Sequence, residues 1–201
     1  DASSLGWGAE CVGVSTGGHW TPTEANKHIN YLEMYAAFLG LQTFAKDKCH
    51  VHIRLRLDNT TGVSVLNHMG TSHSMECNTL CKTIWEWCIS RHIWISAAYL
   101  PGKLNVTADA ESRLNNSNLE WMLNRDTLAQ ALTTLNFMPE IDLFASRLNK
   151  QFAVYASYKP DPQAVAVDAF TMHWASLKFY AFPPFSVIPL VLNKICREEA
   201  Q

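Results

Sequence analysis

The chain has 201 residues, 48% of them hydrophobic and 17% charged, with a formal net charge of −2. This length suits one large or two small domains with a real core. A charge so near zero excludes a global basic field, so any nucleic-acid binding must rest on local patches or on a neighbouring domain. No apolar run reaches the ~18 residues of a spanning helix and no signal-peptide pattern opens the chain, so no membrane partner is expected. Six cysteines occur without metal-type pairing; Cys77, Cys81 and Cys88 stand at helical spacing and read as small core residues. An intracellular setting, cytoplasmic or nuclear, is expected. Asp1 opens the chain in what reads as mid-strand, as in a piece of a longer polyprotein.

In chain order, Asp1-Ala2-Ser3 followed by Gly6-Trp7-Gly8-Ala9 predicts a strand end and a tight hairpin. Glu10 to Val14 is the expected returning strand, Ser15-Thr16-Gly17-Gly18 a second turn, and His19-Trp20 the start of a third strand. Thr21 to Ile29 is polar and irregular. Asn30 then reads as an N-cap with Glu33 at the capping-box position, opening an amphipathic helix to about Ala45 with Leu32, Tyr35, Ala36, Leu39 and Phe44 on one side.

From His50 to Leu57 apolar and basic residues alternate, Val51, Ile53, Leu55 and Leu57 against His52, Arg54 and Arg56, which is a strand pattern. It ends on Asp58. A carboxylate at the carboxyl end of a strand stands where α/β sheets place their chemistry, or else caps the next helix. Helices are predicted over Thr60–His68 and Met75–Arg91, a strand over Ile93–Leu100, a loop over Pro101–Leu104 and a last helix from Asn105. The first 115 residues or so thus read as an α/β unit, a mixed sheet with helices on its faces. Four carboxylates punctuate it: Asp1, Glu33, Asp58 and Asp109.

These features resemble a ribonuclease H domain, in particular those of DIRS-type retrotransposons. The resemblance is carried by Asp1-Ala2-Ser3 with Gly6-Trp7-Gly8-Ala9, by His28-Ile29-Asn30-Tyr31-Leu32-Glu33, by Leu57-Asp58-Asn59-Thr60-Thr61, and by Pro101-Gly102-Lys103 through Asn105 to Ala108-Asp109 and Ser112-Arg113. It implies a five-stranded mixed sheet and an endonuclease that hydrolyses the RNA strand of RNA/DNA hybrids beside an upstream reverse transcriptase domain. It also implies that Asp1, Glu33, Asp58 and Asp109 are catalytic and hold two Mg²⁺ ions, for which Mn²⁺ substitutes. Within that set Asp1 and Asp58 bind or bridge the ions, Glu33 holds the second, and Asp109 binds the first near the attacking water. The chemistry agrees: paired divalent ions activate water and stabilise a leaving oxygen, carboxylates are their hard-oxygen ligands, and carboxylates this close repel one another without metal.

Many relatives carry a His in the loop before the last Asp, and here that loop is Leu100-Pro101-Gly102-Lys103. Asn59, Thr60, His73 and Lys103 are the candidates for substrate contacts. A domain that keeps the fold without catalysis, as a binding or scaffolding remnant, is the alternative. An integrase-like or exonuclease relative fits the element order less well.

Residues 116–138 read as a polar linker and a helix from Trp121 to Leu135, and 139–201 as a smaller α/β segment. A short strand and turn are expected over Pro139–Arg147, a strand and rigid turn over Tyr180–Ser186, and a helix from Val187 to Glu199. Asp142-Leu143-Phe144-Ala145 and Pro183-Pro184-Phe185-Ser186 are similar to phage-type DNA adenine methyltransferases. In that family an Asn or Asp precedes the two prolines; Phe182 stands there instead, with no hydrogen-bonding group. The segment is therefore expected to be a degenerate, structural module, with Asp142, Asp161 and Asp168 in turns and caps.

Overall fold

The structure, a computed structural model, describes residues 1–71, 73–113 and 121–200. The linker expected at 115–118 lies outside the described residues. The chain divides into two compact units, Asp1–Asn115 and Asn116–Gln201.

The first unit opens with an antiparallel hairpin, β1 (Gly6–Cys11) and β2 (Val14–His19). Val12 and Gly13 form its two-residue turn with φ of 52° and 79°, the pair of positive angles that suits strand twist. The predicted turn at Ser15–Gly18 is thus corrected: these residues lie inside β2, and His19-Trp20 opens no third strand. Gly17 is small for another reason. The helix α5 (Val106–Arg113) lies directly on the hairpin. A Cβ at Gly8 would fall 2.1 Å from the Ala108 carbonyl oxygen, and one at Gly17 3.0 Å from Glu111 Cβ. The expected first strand survives as a stub: Gly8 N donates to Asp1 O (3.0 Å) and Ser3 N to Gly6 O (2.9 Å).

A short helix α1 (Pro22–Ala25) with a complete Thr21/Glu24 capping box occupies the stretch read as irregular. The long helix α2 (Ile29–Phe44) follows. Its cap is His28, whose Nδ1 accepts from Asn30 N (3.1 Å), rather than Asn30 itself. The central strand β3 (His52–Leu57) pairs in parallel with β4 (Trp94–Tyr99), and α3 (Thr60–Asn67) and α4 (Met75–Ile89) connect them. Met34, Phe38, Leu41, Leu66, Cys81, Ile84, Cys88 and Ile95 form the core between α2, α3, α4 and the inner face of the β3–β4 pair. The side chain of Asn67 occupies the edge of β4, giving a hydrogen bond to Ala97 O and accepting one from Ala97 N, both 2.8 Å.

The unit is mixed α/β, but the expected five-stranded sheet is not what is seen. Among the described residues the four strands of this unit form one antiparallel and one parallel pair.

In the second unit α6 (Arg125–Leu135) starts four residues after the expected Trp121, capped by Asn124. Two-residue parallel strands follow: β5 (Ile141–Asp142) with β8 (Phe179–Tyr180), and β6 (Ala156–Ser157) with β7 (Ala166–Val167). A parallel bridge between Asp142 and Tyr155 joins the two pairs. The helix α7 (Ile188–Glu198) closes the unit over an aromatic core centred on the fully buried Trp174. No helix among the described residues is long and apolar enough to cross a membrane.

Candidate metal centre

Three carboxylates converge in the first unit. Asp1, Glu33 and Asp58 each offer an oxygen, and these atoms all lie within 4.8 Å of one another. They come from the strand stub, the second turn of α2 and the exit of β3, elements far apart in sequence. Asp58 follows Leu57, the buried end of β3, so the strand delivers its carboxylate to the sheet's carboxyl edge. Because α2 begins at Ile29 with His28 as its cap, Glu33 lies two residues past the capping-box position and turns instead toward the other two acids.

Asp1 is held from α5. Asn105 Nδ2 donates to Asp1 Oδ1 (3.0 Å) and Ser112 Oγ to Asp1 Oδ2 (2.8 Å). Ser112 is 1% exposed and is itself fixed by Ser3, whose hydroxyl donates to Ser112 O (2.6 Å). Hydrogen bonds to both oxygens orient the carboxylate. The close seating of α5 on Gly8 and Gly17 makes these contacts possible.

Glu33 is in the opposite condition. It is 6% exposed and its Oε2 has no hydrogen-bond partner among the described residues. Burial pushes its carboxyl up to about 7, and Asp58 and Asp109 push the same way; the chain's amino group and the Ala2 amide pull against them. That amino group donates to Gly8 O (2.9 Å), and burial lowers its affinity for a proton. A buried carboxylate oxygen without a partner is costly. Facing two further hard oxygen donors, it matches the ligand preference of a divalent cation such as Mg²⁺.

The fourth expected ligand stands apart. Asp109 Oδ1 accepts from Arg113 Nε (2.8 Å) and pairs with its NH2 nitrogen (2.7 Å), an i, i+4 ion pair on α5. It is near enough to act on Glu33 electrostatically but does not belong to the three-acid cluster.

The substrate-contact candidates divide likewise. Asn59 caps α3, its Oδ1 accepting from Gly62 N (2.7 Å), and its Nδ2 donates to Asn30 Oδ1 (2.9 Å). That bond ties the residue after Asp58 to the start of α2. Thr60, His73 and Lys103 are exposed, and their side chains have no hydrogen bond or ion pair among the described residues. The loop carrying Lys103 does border the cluster, since a Cβ on Gly102 would lie 3.5 Å from Asp58 Oδ2. Asn105 and Ser112 were given no role in orienting the acids in the sequence reading, and Asn30 was read only as a helix cap. The available signal was spacing: Asn105, Ala108 and Ser112 lie on one helical face and are all buried.

The acids of the second unit do structural work. Asp142 accepts from the amides of Phe144 and Gln151, Asp161 from the Arg147 amide and the Tyr155 hydroxyl, and Asp168 from the Phe170 amide. Phe182 is 41% exposed.

No family model matches this chain, and no curated protein and no solved structure matches it. The likeness to ribonuclease H therefore rests on the quoted sequence motifs.

Proposed function

We propose that residues 1–115 form a metal-dependent nuclease that cuts the RNA strand of RNA/DNA hybrids during reverse transcription of a retroelement, beside an upstream reverse transcriptase domain. The observation that carries this reading is the meeting of Asp1, Glu33 and Asp58, with oxygens within 4.8 Å, around a buried carboxylate oxygen that has no partner. Such an arrangement is unfavourable as structure alone, because like charges and desolvation both oppose it.

Asp1, Glu33 and Asp58 would hold the cation, and Asp109 would join them on release from Arg113. A divalent ion supplies Lewis acidity toward a phosphodiester and toward water. The chain's own residues do the rest. Asn105 and Ser112 lock the Asp1 carboxylate, and the Asn59–Asn30 bond fixes the backbone beside Asp58. The Gly102 loop walls the cluster on the Asp58 side. Selection of RNA over DNA would come from the 2′-hydroxyl.

A second reading, a remnant that keeps the fold without catalysis, is favoured by one observation, the engagement of Asp109 by Arg113. Incubating the chain with a labelled RNA/DNA hybrid and Mg²⁺ or Mn²⁺ separates the two. Cutting of the hybrid alone, spared in an RNA/RNA duplex and lost in Asp58→Asn, is the expected result. An intact fold with no cutting would favour the remnant or a strict need for the polymerase domain.

A further inference from the structure

The basic half of β3 has no part in the acid cluster. Strand alternation sends Ile53, Leu55 and Leu57 toward the core and leaves His52, Arg54 and Arg56 exposed. In the parallel register their neighbours on β4 are Trp94, Ser96 and Ala98. None of these six residues carries negative charge. Neither guanidinium has an acidic partner among the described residues. The two arginines are two positions apart on an extended strand, about 6.6 Å at ~3.3 Å per residue. Beside them Ser96 and Ala98 keep the floor low.

Trp94 stands at one end of the row, 55% exposed. One side of its ring is braced edge-on by the buried Trp85, with centroids 5.0 Å apart and 62° between planes. Next to it His52 Nε2 lies 2.9 Å from Ser96 Oγ, which steadies the imidazole across the pair.

We infer that this open sheet face binds single-stranded nucleic acid, with Arg54 and Arg56 on successive phosphates and an unpaired base stacked on Trp94. Three features favour this occupant over a protein. The face is cationic in a chain whose net charge is −2, so the local charge has a specific complement. Its aromatic ring is exposed yet held from behind, as stacking requires. The face is flat and polar where a protein partner of this size would call for a buried apolar centre. Base stacking selects a single strand, because a duplex keeps its bases stacked on each other. The inference does not depend on the nuclease reading.

The test is fluorescence anisotropy of a short labelled oligonucleotide with the full chain in EDTA, across a salt series, with single-stranded RNA, single-stranded DNA and duplex arms. Arg54→Gln with Arg56→Gln is expected to flatten the slope of log K against log salt by about 1.4, at ~0.7 per phosphate contact for single strands. Trp94→Leu is expected to weaken binding about tenfold. An unchanged salt slope in the double variant, or equal affinity for the duplex, would each overturn the assignment. So would sedimentation showing that the double variant only converts a dimer to monomer, since the face would then be an interface between copies. Circular dichroism confirms that the variants fold, as exposed strand side chains allow.

Discussion

Glu33→Gln is expected to make the metal-free protein more stable, not less. The folded state holds the Glu33 proton up to about 7, against 4.5 for an unperturbed glutamate, chiefly because the group is buried. Each pH unit of displacement is worth about 1.4 kcal/mol, so the difference amounts to about 3 kcal/mol. The folded chain binds this proton more tightly than the unfolded chain does. The stability that the proton provides is therefore complete below about pH 4.5 and lost as pH rises through about 7. Glutamine has the same shape and no charge to desolvate. The variant should match the parent near pH 4 and exceed it by up to about 3 kcal/mol at pH 8.

Urea melts in EDTA, read by tryptophan fluorescence, measure this; five of the seven tryptophans lie before residue 115. The difference between variant and parent across pH isolates Glu33 from the histidines. Adding Mg²⁺ at pH 8 should stabilise the parent, by about 2.7 kcal/mol at a hundredfold excess over Kd, and the variant much less. A variant less stable than the parent at pH 8, or a difference that does not change between pH 5 and 8, would refute the account of Glu33 as an uncompensated buried acid.

Asp58→Asn should lower hybrid cleavage about a thousandfold or more with its far-ultraviolet dichroism unchanged; turnover like the parent's would end the assignment of Asp58 to the metal centre. Ser112→Ala removes a donor to the Asp1 carboxylate and should cost about 2 kcal/mol in urea melts, with a higher Mg²⁺ concentration needed for half-maximal cleavage. Gly8→Ala should cost about 3 kcal/mol by forcing α5 off the hairpin, and a urea midpoint equal to the parent's would contradict the close packing. Residues 139–201 should give no calorimetric signal with S-adenosylmethionine, and micromolar binding would overturn the view of that segment as structural.

Much of the site could be read directly from the residues. Asp58 was placed by the alternation that precedes it, and alternation survives into the fold because one face of β3 is buried. Glu33 was ambiguous, since the same spacing serves a capping box or a ligand. The choice turned on whether the cap is His28 or Asn30, a two-residue difference that the His28 cap decides and that propensity does not. Gly17 read as part of a turn because glycine marks both sharp bends and tight approaches; which one applies depends on the neighbouring strand and on a helix ninety residues later. Asp109 shows the converse. Its i, i+4 partner Arg113 was visible in the sequence, and in the fold that local pair competes with the distant cluster. The strands of the second unit, two residues each, are too short to leave any period in the sequence.

The donors that orient Asp1 lie 104 and 111 residues further along the chain. Closing a loop of that length costs about 4 kcal/mol in chain entropy, recovered only when α5 settles on the hairpin. On the ribosome, at roughly 5–20 residues per second, Asp1 waits on the order of ten seconds for Ser112 to be synthesised. A chain that ends before Ser112 would carry Asp1, Glu33 and Asp58 without the clasp that aims the first of them, so the Asp1 carboxylate is oriented only once the chain has grown past Ser112.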